Sequence, residues 1–231
     1  MNTQTHPASK ILRISIIILL CLLLATPLIM SSGLYFPFIT GKAFFMRSCI
    51  LLAGALYVLL AATDRAYRPR ASVLMYSMIA FLLILGASWY NSIAPDKSFW
   101  SNFERMEGYV TLLYMGALFV IAGATIKRNE WIWILHTSLV LSVIVGIKAT
   151  GDFANAPVGT VARISGTLGN SSYLGVYALI HIFLAILGLL MIYRGKREEV
   201  LLSSGSHDQS RKRGTDAYIY MFVYGILAIF N

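Results

Sequence analysis

The stretch YLGVYALIHIFLAILGLLMIY, residues 173–193, runs for 21 positions without an aspartate, glutamate, lysine or arginine. A helix rises about 1.5 Å per residue, so a run of this length reaches across about 30 Å, the thickness of a bilayer's hydrocarbon core. In lipid such a segment needs only its own backbone hydrogen bonds. Working outward from it, five more runs have the same character, at 11–30, 44–62, 72–90, 109–126 and 131–147. Another, at 218–230, would span only about 20 Å as a helix, so the sequence is expected to stop inside a span. The fold class is therefore all-α integral membrane protein, a polytopic bundle of about six complete transmembrane helices plus a truncated seventh. Its expected parts are an N-terminal tail (1–10), a six-helix membrane region with outward motif loops (11–193), a basic loop (194–217) and the truncated span (218–231).

Composition supports this reading: 58% of the residues are hydrophobic and 13% are charged, a balance that a soluble domain with a polar surface does not match. A net charge of +9 would suggest nucleic acid in a soluble protein. Here the cations fall in short segments between apolar runs and form no patch interleaved with aromatic residues, so a nucleic-acid partner is not expected. Cys21 and Cys49 lie within apolar runs and read as packing residues, with no metal site.

The first run is too long for a secretory signal and lacks a convincing small-x-small cleavage site, so it reads as an uncleaved anchor. With the N-terminus in the cytoplasm, inside segments hold Lys10, Arg13, Arg65, Arg68, Arg70, Lys127, Arg128 and the cations of 194–217. Outward loops keep Lys42, Arg47, Lys97, Arg105, Lys148 and Arg163. That is the bias of the positive-inside rule, and the expected location is a bacterial inner membrane. The segment 194–217 contains Ser-Ser-Gly-Ser and both charge signs, and reads as a flexible linker.

Three outward loops combine cations with glycine and aromatic residues. GLYFPFITGKAFFMR (33–47) carries Lys42 and Arg47, which as interfacial residues can snorkel to headgroups. SFWSNFERMEGYVTLL (98–113) crowds Glu104, Arg105 and Glu107 together. An arginine there can grip a phosphate with a two-donor fork while acidic neighbours orient it, or it can close a structural salt bridge with them. ARISGTLGNSSYLGVY (162–177) places Arg163 ahead of Gly166 and Gly169, with a helix start at Asn170 to Ser172. Glycines allow close backbone approach and a helix N-terminus presents amides to an anion, although a turn plus an N-cap explains the same letters. The loop lacks the Gly-Lys-Ser/Thr ending of a nucleotide-binding loop. His136 and His181 lie inside predicted spans and read mainly as groups bonding across helices. His6 and His207 sit in polar segments and read as solvated.

Taken in order, FPFITGKAFFMR, SNFERMEGYVTLL and RISGTLGNSSYLGVY resemble the N-terminal half of the O-antigen ligase and polymerase family. The resemblance implies a membrane glycosyltransferase that needs no metal or other cofactor. Its donor would be an undecaprenyl-diphosphate-linked glycan, and its acceptor lipid A core or another glycan, with membrane lipids around it. Arg105 and Arg163 match basic positions of the family's motifs and are the expected diphosphate contacts, with Lys42 and Arg47 as auxiliary cations. Glu104, Glu107, Gly166, Gly169 and Asn170 would support them. Many relatives have Asn-Pro-Asn where this chain has Asn170, Ser171 and Ser172. The family's proposed catalytic histidine lies in a large loop of its second half, so no catalytic residue is assigned here and enzyme activity of this chain is left open. A polysaccharide polymerase of the same family, or a transporter or scaffold subunit, are the alternative functions.

Overall fold

The computed structural model describes residues 7–102, 105–157 and 163–202, the last nine of these by their backbone. Regular structure among the described residues is helical: α1 (Pro7–Leu23), α2 (Thr40–Thr63), α3 (Val73–Tyr90), α4 (Pro95–Trp100), α5 (Tyr109–Thr125), α6 (Trp131–Ala154) and α7 (Ser171–Leu202), joined by short 3-10 turns and loops. Four helical stretches are long and apolar enough to cross a membrane: Thr40–Thr63, Val73–Tyr90, Arg128–Ala154 and Ser171–Tyr193. Helix α5 is apolar but shorter. Leu83, Ile84 and Phe183 are each more than 60% exposed, a placement that is costly in water and natural against lipid. This is the build of a multi-pass membrane protein.

Local chemistry explains the helix ends. Pro7 opens α1, where its missing N–H costs nothing. The first apolar run, expected over 11–30, does not stay helical throughout. Helix α1 stops at Leu23 and a 3-10 turn at Thr26–Leu28 follows, because Pro27 cannot donate to the preceding turn and its ring clashes there. The hydroxyl of Ser72 accepts from the Met75 amide at 3.2 Å and caps α3. Helix α6 outlasts its predicted end at 147 and reaches Ala154, with Lys148 and Asp152 paired one turn apart at 2.5 Å. Helix α7 runs on to Leu202, so residues 194–202, expected as part of a flexible linker, have a helical backbone. Lys196, Arg197, Glu198, Glu199 and Leu201 are all good helix formers. The remainder of the basic loop and the expected seventh span lie outside the described residues.

The chain divides into two compact units, Met1–Glu130 and Trp131–Asn231. In the first, α1 packs on α2 and α2 on α5, around buried Ile16, Leu20, Ala53, Tyr57, Leu60 and Ile121. Helix α3 lies against α5 through two close approaches. A Cβ added to Gly86 would fall 2.7 Å from the Tyr109 hydroxyl, and one added to Gly116 would fall 2.7 Å from Leu82 Cδ1. Tyr109 uses that approach to donate to the Leu82 carbonyl at 2.8 Å. None of α3's own residues is buried. In the second unit α6 packs on α7 through Leu139 and Ala185, and the 3-10 turn Gly166–Leu168 rests on α6 with Gly166 against Ala149.

Candidate functional site

The first unit gathers the loop 101–108 beneath the start of α5. Two non-glycine residues there, Ser101 at φ 69° and Met106 at φ 54°, have positive φ, which costs roughly 1–3 kcal/mol for an L-residue. Something must hold them, and much of the hold comes from Arg47. This side chain is 8% exposed. Its Nη2 donates to the Met106 carbonyl and, at 3.0 Å, to the Thr111 hydroxyl. Thr111 in turn donates to the same Met106 carbonyl at 3.2 Å. The guanidinium also stands 5.8 Å from the Tyr114 ring centroid, and its Nε has no hydrogen-bond partner among the described residues.

Gly108 completes the hold. A Cβ at this position would sit 2.2 Å from the Phe99 carbonyl oxygen and 2.7 Å from the Ser101 amide nitrogen. Only glycine lets the end of α4 and the start of α5 meet in this way. Asn102 adds a local turn by accepting from the Arg105 amide at 3.1 Å.

The loop thus holds Arg105 and Glu107 exposed. Among the described residues the ion pairs are Arg13–Glu130 and Lys148–Asp152, so Arg105 is not spent on Glu107. Glu104 lies outside the described residues. Beside Glu107 opens a cleft of about 540 Å³ lined in part by Trp89, Asn91, Ser92, Ser98 and Tyr109. Trp89 is stacked on Tyr109 with ring centroids 5.8 Å apart and leans on Phe99 at 5.0 Å. The indole nitrogen donates to the Pro95 carbonyl at 3.1 Å, and the Ser92 and Ser98 hydroxyls bond to each other at 2.6 Å. None of these cleft residues was singled out from the sequence. The aromatic spacing at 89, 99 and 109 was the available signal, but it is also what an interfacial anchor looks like.

Lys42, at the start of α2, donates to the Phe38 carbonyl at 2.9 Å and lies over the Phe38 ring at 5.8 Å. Lys42 and Arg47 are therefore both engaged with the protein's own groups. In the second unit Arg163 is exposed, while Gly166 (φ 51°) and Gly169 (φ 74°) supply the left-handed turns that lead into α7. Asn170 accepts from the Ser172 amide at 2.8 Å and caps that helix. His181 bonds across helices, with Nε2 3.0 Å from the Ser138 hydroxyl and Nδ1 2.8 Å from the Tyr177 carbonyl. A carbonyl only accepts, so in the neutral ring Nδ1 carries the proton and Nε2 accepts from Ser138. No group of three or more potential metal ligands occurs among the described residues. Compared with known proteins, the chain matches no family model, no curated protein and no solved structure.

Proposed function

We propose that this chain provides donor recognition for a membrane glycan transferase of the O-antigen ligase type. The reaction moves glycan from undecaprenyl diphosphate to lipid A core or another acceptor, at the outer face of a bacterial inner membrane. In this reading α1 and α5, each of 17 residues and so at the short end of what spans a bilayer, bring the complete crossings to six, with the N-terminus in the cytoplasm. The observation that carries the reading is the loop 101–108. It holds the exposed guanidinium of Arg105 two residues from a cleft where an indole stands beside hydroxyl, amide and carboxylate groups. A sugar ring offers an apolar face and a rim of hydroxyls, and this lining suits both. The guanidinium suits the diphosphate, on which negative charge grows as the bond to the anomeric carbon breaks.

Binding of undecaprenyl diphosphate to the purified chain tests this. Arg105→Lys preserves charge but loses the planar fork, and should weaken binding about tenfold, the worth of one charge-assisted hydrogen bond. Arg163→Lys, in the other unit, is measured separately with the same expectation. Unchanged affinity in Arg105→Lys, with the protein folded, rejects the assignment of Arg105 to the diphosphate.

A further inference from the structure

A cavity in the first unit lies away from the loop 101–108, where α5 ends and α3 begins. It measures about 660 Å³, within the range of small-molecule sites. Its lining includes four exposed cations, Arg68, Arg70, Lys127 and Arg128. It also has an apolar wall made by Met75 of α3 with Phe119 and Gly123 of α5. Phe119 and Gly123 are one turn apart on the same helix face, Phe119 is 45% exposed, and a Cβ added at Gly123 would meet nothing within 4 Å.

Four like charges repel one another; the Glu130 carboxylate, paired with Arg13, lies close enough to attract Lys127. None of the four forms an ion pair among the described residues. Asp64, the one acid in the lining, is turned to accept from the Ala66 amide at 2.9 Å. Arg68 commits its Nε to the Ala61 carbonyl at 3.3 Å, which leaves its terminal nitrogens for another acceptor. The cations stand at the start of α3 and the end of α5, two apolar helices, and Met75, Phe119 and Gly123 lie on those helices.

We propose that this cleft binds the headgroup of an anionic glycerophospholipid, with its phosphate among Arg68, Arg70, Lys127 and Arg128 and the start of an acyl chain against Phe119 and Gly123. Guanidinium groups grip phosphate in pairs of hydrogen bonds, and basic pockets between membrane helices suit lipid phosphates. A soluble anion would use the rim and ignore the wall, so the wall favours a lipid.

The test uses the full chain in bilayers of phosphatidylcholine, with spin-labelled phosphatidylglycerol or phosphatidylcholine reporting the lipid immobilised on the protein. Phosphatidylglycerol should be preferred severalfold. The double variant R70Q/R128Q should reduce the preference about threefold or more. Gly123→Trp, which leaves every charge in place and fills open space, should do the same. A wild-type protein that does not distinguish the two lipids overturns the proposal, as does a preference that survives both variants. Competition by inorganic phosphate that is equal in wild type and Gly123→Trp would assign the rim to a soluble anion and overturn it as well.

Discussion

Both ends of α5 are held by an arginine reaching from another helix, and the two arginines are treated differently. At the C-terminal end, Arg13 of α1 donates from Nε to the Thr125 carbonyl at 3.1 Å and from Nη2 to the Glu130 carboxylate. The same carboxylate accepts from the Lys127 amide at 2.8 Å. At the N-terminal end, Arg47 of α2 meets a carbonyl, a hydroxyl and an aromatic ring, and no acidic partner among the described residues. The first arginine is cancelled where it stands. The second is met by neutral groups among the described residues, so the two ends of α5 differ in the chemistry that meets each guanidinium.

The largest expected effect belongs to the loop itself. Gly108→Ala forces a side-chain atom into the Phe99 backbone and should cost about 3 kcal/mol, the top of the overpacking range, read as the unfolding midpoint in detergent. An unchanged midpoint would mean that α4 and α5 do not meet as described. Next comes Arg47→Met, which removes two hydrogen bonds to a charged donor and should cost about 2 kcal/mol. Arg47→Lys should recover only part of this, since one ammonium cannot reproduce the guanidinium's planar contacts. Full recovery would reduce Arg47 to a point charge and weaken the contrast with Arg13. The smallest effect is the coupling between Arg13 and Glu130, whose side chains are 11% and 30% exposed. A double-mutant cycle with alanine should give about 1 kcal/mol. A coupling larger than the whole cost of Arg47→Met would reverse the ranking of the two ends.

Most of the helical framework was legible in the sequence because it rests on local signals. Helices α3 and α5 begin within one residue of the apolar runs read at 72–90 and 109–126. The end of α1 was misread because apolar composition outweighed Pro27, which local chemistry should have ranked higher. The extents of α6 and α7 were underestimated for the opposite reason: charged residues close an apolar run without ending a helix. The geometry of the candidate loop was legible only in part. Arg105 and Glu107 could be named from their motif, but the role of Arg47 depends on partners 59 and 64 positions away, and the need for glycine at 108 depends on where the Phe99 backbone passes. The cleft around Trp89 comes from pairings between helices that no short window contains.

Helix α7 has a mechanical consequence. Its 32 residues make a rod about 48 Å long, well beyond the roughly 30 Å that the hydrocarbon demands. The surplus is comparable to the headgroup layers of a bilayer and continues the same axis, because the backbone is helical through Leu202. A rod of this length carries the direction set near Ser171 unchanged to Leu202. The junction where the asparagine cap and the two left-handed glycines set the start of this helix is therefore also the point that aims it.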